Sequence, residues 1–452
     1  MLSAVGTGSI LFMPRVAAVY EYQLLWLLLL VVFFMWIMIR EMARFTIVTG
    51  RTMLQGMNRL PGPQGWAVWV IFVPQLAAAA IGIAGLSAIA GSAVGETTAG
   101  SNALYGIGTV VMCTLFTASG RYVKIELFSR FMAMLLVLLA IAAAVIVFPN
   151  AGKIAQGLTF QWPEQPRYYV ILPWVGTILA GSMGIVWFGY WTATRGFGGG
   201  LVGTQQDDEA VAYSSVTEGD RQSREVWLER GRSWIRLMTG TATLGVLGGL
   251  SVLFSFMVLG SELLAPTGTL PQGSDVAIDL TRMFSDVWGS TGKWLLLVTI
   301  VIALVGSVLA NQDGWGRSFS DMTLILLRNS RQTERKNVLI RTLDRLQPHL
   351  KFDVYSRVVL KRIFIVLVTG IIPVIIILLF EDPVKVMSVS GIIAAAHTPF
   401  IVFLAFLVNR NELPKTLQPG FFASASMLMA GLFYLGFAGL YFADMAGLVG
   451  SA

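Results

Sequence analysis

The sequence predicts an all-α polytopic membrane protein, and three observations support that prediction. Of its 452 residues, 55% are hydrophobic and 13% are charged, whereas charged residues make up about 25% of an ordinary soluble domain. The charges fall in short groups between long apolar runs, and a helix needs roughly 20 apolar residues to cross a bilayer. Two of the runs, five apart in the chain, carry glycines or proline at which a helix can break.

Eleven apolar runs account for the predicted transmembrane helices, and we number them spans 1 to 11. They cover residues 2–20, 23–49, 65–94, 103–120, 125–148, 173–197, 233–263, 289–326, 357–380, 384–408 and 417–447. Lysines and arginines accumulate between spans 2 and 3, between 4 and 5 and, most strongly, between 8 and 9. Because basic loops remain in the cytoplasm, we expect the N-terminus inside and the C-terminus outside. We expect the chain to lie in the lipid bilayer of a bacterial inner membrane.

Spans 1 and 6 are predicted to be broken near Gly6–Ser9 and near Gly184–Tyr190. Secondary transporters built from two inverted repeats place broken helices at matching positions and bind substrate between them. This pattern predicts one transmembrane transporter domain of 5+5 spans, with a first repeat at 1–170, a second at 171–408 and a last helix at 409–452. The predicted substrate-binding residues flank the breaks: Gly6, Thr7, Gly8, Ser9, Trp187, Phe188, Gly189 and Tyr190.

The composition excludes several other kinds of protein. One cysteine, Cys113, and two histidines, His349 and His397, are too few for a disulfide framework or for a cluster of metal-binding cysteines and histidines. The net charge of +7 follows from the basic cytoplasmic loops of a membrane protein, so we expect no nucleic-acid partner. The sequence contains no nucleophile with a paired base and no phosphate-binding loop. We therefore expect neither enzymatic activity nor a cofactor.

Three stretches of the chain carry a family resemblance. The first runs from Tyr22-Gln23-Leu24-Leu25-Trp26 through Ala43-Arg44 to Val48-Thr49-Gly50-Arg51; the others are Asp382-Pro383 and Val386-Met387-Ser388. Together they resemble the Nramp family of proton-coupled divalent-metal transporters. The resemblance implies the LeuT-type fold of the amino acid, polyamine and organocation superfamily, a 5+5 inverted repeat with one extra helix.

The resemblance also implies where the metal ligands of the family would fall. The Asp-Pro-Gly-Asn motif of span 1 falls on Gly6–Ser9, the thioether of span 6 on Phe188 and the glutamine of span 10 on Val389. A transition-metal ion that sheds its water needs oxygen or imidazole ligands and negative charge. These positions supply almost none, so we expect no metal site of the usual kind. Gly6-Thr7-Gly8-Ser9 also resembles the stretch that holds a carboxylate in amino-acid carriers, although close helix packing explains a glycine pair equally well.

Four ionisable residues within the spans are candidates for charge selection or ion coupling: Arg15, Arg195, Asp313 and His397. Arg15 could attract an anion, snorkel to the outer interface or pair with Glu21, and Arg195 could line the exit path or anchor span 6 at the cytoplasmic face. Asp313 could pair with Arg317 or carry a proton or Na⁺. The imidazole of His397 could titrate near neutral pH or serve only as a hydrogen-bonded packing residue.

Three functions remain open on the sequence alone. The leading hypothesis is a secondary transporter of a small solute, such as a carboxylate or another anion, coupled to a proton or to sodium. The first alternative is a divalent-cation transporter whose ion keeps more of its water and binds backbone carbonyls and hydroxyls such as those of Thr7 and Ser9. The second alternative is a receptor or partner subunit that does not transport. The sequence does not predict the oligomeric state.

Overall fold

The computed structural model describes residues 6, 8–120, 123–179, 181–194, 197–198, 221–332, 347, 353 and 355–448. Helices make up most of this part of the chain, and it contains no β-strand. The predicted all-α class is therefore confirmed.

Each of the eleven predicted spans corresponds to one helix or to consecutive helices. In chain order they are Gly8–Phe12 with Met13–Tyr20, Leu25–Thr49, Trp66–Gly95, Asn102–Ser119, Val123–Val147, Tyr168–Thr177 with Gly181–Thr194, Arg221–Leu259 with Gly260–Leu264, Val276–Gln332, Arg357–Val366 with Leu367–Ile371 and Ile372–Leu379, Pro383–Glu412, and Phe421–Met445. Short helices lie at Met53–Met57, Ala151–Gly157 and Gly273–Asp275. Within the described residues, nine helices are long and apolar enough to cross a membrane, and Gly8–Tyr20 is a shorter apolar helix. Span 5 is a tenth candidate when counted with Ala151–Gly157, at a bend of 114°.

Two spans begin earlier than their hydropathy predicts. The helix of span 7 begins at Arg221 rather than at 233, because its first turns are helical but charged. The helix of span 8 begins at Val276 rather than at 289, and Gly289 interrupts it with φ 63° and ψ −148°. This left-handed φ is one that glycine adopts without steric cost. A short helix therefore precedes the membrane-crossing part of span 8.

The start of span 10 is fixed by the Asp382-Pro383 pair. The Asp382 side chain accepts hydrogen bonds from the backbone N–H groups of Val384 and Lys385, both at 3.0 Å. These amides have no partner within the helix, and proline is favoured at the first helical position because it has no N–H to satisfy. The motif that carries part of the family resemblance is thus a helix cap in this fold.

Span 10 packs against span 3, span 11 and the first half of span 6, Tyr168–Thr177. The contact with span 6 brings two backbones together, because a Cβ atom at Gly176 would lie 2.1 Å from the carbonyl oxygen of Gly391. Small residues at such crossings allow membrane helices to approach closely. This crossing holds the first half of span 6 in place immediately before its break.

Candidate functional site

Span 6 is interrupted after Thr177, and its second half begins at Gly181. The first half ends at Thr177, and Ile178 continues in an extended conformation with φ −56° and ψ 127°. Leu179 and Gly181 follow with φ of 63° and 59°, and the second half, Gly181–Thr194, begins there. A left-handed φ is uncommon for a residue with a side chain, so the conformation of Leu179 is a marked local feature.

The predicted position of this break, Gly184–Tyr190, is therefore wrong by one to two turns. Gly189 remains helical and serves a packing role, because a Cβ atom there would lie 3.1 Å from the Cα atom of Ala43 on span 2. Glycine content identified the correct span, but it did not distinguish the glycine at a turn from the glycine at a helix crossing.

The start of span 1 is a wide turn rather than a regular α-helix. The backbone N–H groups of Ser9 and Ile10 both donate to the Gly6 carbonyl, at 3.2 and 3.1 Å, and the Ser9 hydroxyl donates to the same oxygen at 3.1 Å. A π-helical turn follows over Gly8–Phe12, and such turns often mark functional sites. Thr7 lies outside the described residues.

Span 1 meets the break of span 6 at Gly8. A Cβ atom on Gly8 would lie only 2.3 Å from the carbonyl oxygen of Thr177, the last residue of the first half of span 6. No side chain fits there unless one backbone moves. The start of span 1 and the break of span 6 therefore lie against each other, as the 5+5 pattern predicts.

Helix ends give polarity to the region where the start of span 1 meets the break of span 6, which we call the gap. The last four carbonyls of an α-helix have no amide partner within the helix. In the first half of span 6, the Trp174 carbonyl accepts a hydrogen bond from the Ile178 N–H at 3.1 Å. The carbonyls of the three residues after Trp174 extend toward the break. They carry partial negative charge, whereas the first turns of span 1 and of the second half of span 6 carry partial positive charge. The gap thus offers both carbonyl oxygens and helix N-termini.

The aromatic residues predicted to flank the break lie beyond it, in the second half of span 6. Trp187 follows Gly181 by six residues, or about 9 Å of helix. Its indole N–H donates to the Ser318 hydroxyl on span 8 at 2.7 Å, and Phe188 and Gly189 lie in the same helix. Because the second half of span 6 begins at Gly181, these side chains lie along that helix and not at the break.

Trp187 and Tyr190 line a small cavity between spans 2, 6 and 8. Its volume available to the centre of a water molecule is about 20 Å³, which is enough for one water. The other lining residues are Thr46, Thr52, Met53, Leu54, Val186, Trp191, Gly314, Arg317, Ser318 and Asp321. This cavity lies on the predicted cytoplasmic side of the break.

Arg15 is buried on the other side of the break and does not pair with Glu21. Its Nη1 atom donates to the Pro271 carbonyl in the loop after span 7, and its Nε has no hydrogen-bond partner in the described part of the chain. Glu21 instead forms an ion pair with Lys153. The expected pairing alternative for Arg15 is therefore wrong.

A second contact on the predicted outer side links the turn after span 1 to span 7. The Tyr22 hydroxyl donates to Glu262 at 3.0 Å, and the Asn150 backbone N–H donates to the same carboxylate oxygen at 3.1 Å. Burial and then the neighbouring Glu262 carboxylate raise the pKa of Tyr22, so its hydroxyl stays protonated at neutral pH and remains a donor.

Asp313 is one member of a network of ion pairs between spans 8 and 9. Its carboxylate pairs with Arg317 at 2.7 Å, as one alternative for this residue expected, and also with Lys361. About two turns further along span 8, Asp321 pairs with Arg357 at 2.5 Å, and Arg357 also donates to the Tyr190 hydroxyl at 3.2 Å. The basic residues of span 9 were not predicted to take part, although a cation in an apolar run is itself a signal of a buried partner.

His397 belongs to a buried polar cluster that joins spans 3, 6 and 10. Its Nδ1 lies 2.5 Å from Nε2 of Gln75, and the same Nε2 donates to the Ser182 hydroxyl at 2.9 Å. The residue Ser182 is the first after Gly181 at the break. Gln75 and Ser182 were not predicted; a glutamine inside the apolar run of span 3, directly after Pro74, was the available signal. Arg195 lies outside the described residues.

Metal-binding side chains do not converge in the described part of the chain. No group of three or more His, Cys, Asp or Glu residues there is close enough to hold a metal ion. Any cation in the gap would depend on backbone carbonyls, hydroxyls, amides and its own water.

Comparison with known proteins matches the chain to one family model. The model described as "Natural resistance-associated macrophage protein-like", Nramp, matches residues 1–303. No curated protein matches the chain.

Solved structures match over nearly the whole chain. Two mutants of the manganese transporter of Eremococcus coleocola are similar at a TM-score of 0.64 with 11% and 12% identity, covering 99% of this chain and 85% of that chain. The same transporter in complex with an aromatic bis-isothiourea substituted compound gives a TM-score of 0.62 at 12% identity, with the same coverage. These similarities confirm the LeuT-type fold.

Proposed function

The chain belongs to the Nramp family, and on that premise we propose that its cargo is a divalent metal cation that keeps most of its hydration water. Members of this family are secondary transporters and not enzymes, so transport itself follows from the family. The manganese cargo named for its structural neighbours supports a metal ion as the cargo of this chain as well. The sequence-based preference for a carboxylate has no comparable support.

The contact between Gly8 and Thr177 carries the proposal. It brings the carbonyl-rich end of the first half of span 6 to the start of span 1, where the Ser9 hydroxyl adds a further oxygen, and a hydrated ion would bind beside this close contact rather than within it. Divalent cations such as Ca²⁺ and Mn²⁺ accept backbone carbonyls and water as ligands. Neutral oxygens cannot offset complete dehydration of the ion, so the ion keeps its water.

A site without ionised ligands binds its ion weakly. Calcium sites with few charged ligands reach dissociation constants of about 10⁻⁴ to 10⁻³ M, and we expect the cargo ion to bind in the same range. Calorimetry on the purified protein would measure this value, with micromolar affinity for Mn²⁺ contradicting the hydrated-ion mechanism.

The experiment that tests the proposal measures Mn²⁺ uptake into proteoliposomes. Wild-type protein should give saturable uptake, and Gly8→Val should abolish it because the new side chain forces the Thr177 carbonyl away. Gly245→Val is the matched control, since a Cβ atom at Gly245 meets no atom within 4 Å. Uptake that is absent in wild type, or equal in both variants, would contradict the proposal.

A small carboxylate is a second candidate, favoured by the buried Arg15 guanidinium with its unpartnered Nε and by the helix N-termini at the gap. The same proteoliposomes distinguish the two candidates. If the proteoliposomes take up a carboxylate but none of Mn²⁺, Ca²⁺ and Mg²⁺, the cargo is an anion and not a divalent cation.

A further inference from the structure

Pro74 in the middle of span 3 leaves one carbonyl without its usual partner. In an α-helix the carbonyl of Val70 would accept from the N–H of residue 74, but proline has no N–H. His397 on span 10 fills this position, with its Nε2 at 3.0 Å from the Val70 carbonyl oxygen. Because a carbonyl can only accept, Nε2 must carry the hydrogen. The neutral ring therefore has a bare Nδ1, which is the nitrogen able to take up a proton.

Gln75 faces that nitrogen and is itself completely buried. Its Nε2 carries two hydrogens: one points to His397 Nδ1 at 2.5 Å and the other to the Ser182 hydroxyl at 2.9 Å. Its Oε1 has no hydrogen-bond partner in the described part of the chain. A buried acceptor without a partner is unfavourable, so this oxygen is a group for which a role is expected.

Rotating the Gln75 amide by half a turn exchanges its two ends without moving the rest of the cluster. Oε1 would then accept from a protonated Nδ1 of His397 and from the Ser182 hydroxyl, which can rotate to donate. In both arrangements the Gln75 amide makes two hydrogen bonds and leaves one end unpaired. The cluster therefore holds the same number of hydrogen bonds with a neutral or with a protonated imidazole.

We propose that His397 is a proton-binding residue of this transporter, and that Gln75 passes its protonation state to the second half of span 6 through Ser182. The proton arrives on Nδ1 from water, and no covalent bond other than N–H forms. Ser182 directly follows Gly181, so the change is delivered to the first turn after the break. The link to transport rests on the proposed function, whereas the proton site itself does not.

Among the described residues, no charged side chain shares the site with His397. The helices of spans 3 and 6 that pack against span 10 contain no Asp, Glu, Lys or Arg. On span 10 the nearest are Lys385 and Arg410, 12 and 13 residues away, or about 18 and 20 Å along the helix.

Other packed elements add distant ionisable groups. Span 2 contributes Glu41, paired with Arg40 and Arg44 near Asn409, and the short helix Gly273–Asp275 contributes Asp275. Span 11 contributes Asp444, and the phenols are those of Tyr434 and Tyr441 on span 11 and of Tyr168, Tyr169 and Tyr190 on span 6. None of these groups is bonded to His397 within the described residues. The titration of His397 is then controlled by its burial and by Gln75.

The proton site can be observed directly, because the chain has only two histidines. Full-length protein carrying His349→Gln and ¹⁵N-labelled histidine in nanodiscs gives one imidazole, whose ring nitrogens NMR follows from pH 8 to pH 4.5. We expect the Nε2–H tautomer at high pH and protonation of Nδ1 within the range. A ring that stays neutral throughout, or the opposite tautomer at pH 8, would overturn the proposal.

Substitutions at Gln75 test the relay. Gln75→Met removes the acceptor and should lower the midpoint of the titration by about one pH unit or more, whereas Gln75→Glu should raise it because a carboxylate favours the cation. Thr398→Val, on the helix that carries His397, is the matched control, since the Thr398 hydroxyl bonds only within span 10, to the Ala394 carbonyl. Equal titration midpoints in the His349→Gln parent and in the three variants made from it would overturn the role of Gln75.

Transport gives the second readout. His397→Gln should flatten the dependence of Mn²⁺ uptake on pH between 5 and 8, and Thr398→Val should leave it unchanged. An unaltered pH profile in His397→Gln would exclude His397 from coupling. If wild-type protein carries no Mn²⁺, the proposed cargo fails while the NMR titration still decides the proton site.

Discussion

Arg15 offers a test of the sign of the cargo charge. Seven residues separate it from Gly8, or about 10 Å at the helical rise of 1.5 Å per residue. At an effective dielectric constant of about 20, two unit charges at that distance interact by about 1.7 kcal/mol, and a divalent ion by about 3 kcal/mol. The carboxylate of Asp382, which interacts with Arg15 electrostatically, offsets part of this repulsion.

Arg15→Gln removes the charge and keeps a donor for the Pro271 carbonyl. Since a tenfold change in affinity corresponds to about 1.4 kcal/mol, we expect the KM for Mn²⁺ uptake to fall between tenfold and a hundredfold. Arg15→Lys keeps the charge and is the matched control, with a KM near that of wild type. Initial uptake rates in proteoliposomes, over a range of Mn²⁺ concentrations, give the KM of the wild-type protein and of the two variants.

The opposite result would refute this reasoning. If Arg15→Gln raises the KM for the cargo while Arg15→Lys has a KM near that of wild type, the positive charge attracts the cargo and the cargo is an anion. A carboxylate carries one unit of charge, so its loss of affinity would be about tenfold.

Three further predictions concern stability, measured as thermal unfolding in detergent. Gly176→Val should be among the most destabilising changes, because the new side chain would overlap the Gly391 carbonyl at 2.1 Å. Asp313→Asn should cost about 1.5–3 kcal/mol by weakening charged hydrogen bonds, and adding Lys361→Met should recover part of that loss; full additivity of the two changes would contradict their pairing. Tyr22→Phe should cost about 1 kcal/mol with a loss that does not vary between pH 6 and pH 9, since burial and then Glu262 raise the pKa of its hydroxyl.

The spans could be predicted because membrane insertion constrains composition directly. An apolar run as long as that of Leu25–Thr49 is typical of a membrane-crossing helix, and the crossing length follows from bilayer thickness. The pairing of spans 1 and 6 was predicted from glycines and proline in runs five spans apart, and in the structure Gly8 lies against Thr177.

The position of the span 6 break could not be predicted, because Gly181 is one of several glycines in the run and the other left-handed residue at the break is Leu179. A leucine gives no sequence signal for such a turn. A glycine does give that signal, but Gly189 instead allows span 6 to approach span 2 closely. The partners of His397 were missed for a different reason. Gln75 and Ser182 are distant in sequence, and only the packing of spans 3, 6 and 10 brings them together.

The charge balance at the gap links the two proposals. The described residues around Gly8 and Thr177 offer backbone dipoles and hydroxyls, so a bound divalent cation keeps its full charge apart from the screening of its water. An imidazolium at His397, connected to the first turn after the break through Gln75 and Ser182, would repel that ion. Such coupling is reciprocal: the factor by which protonation weakens ion binding is the factor by which the ion weakens protonation. A neutral His397 therefore favours binding of the ion in the gap, and a protonated His397 favours release of the ion.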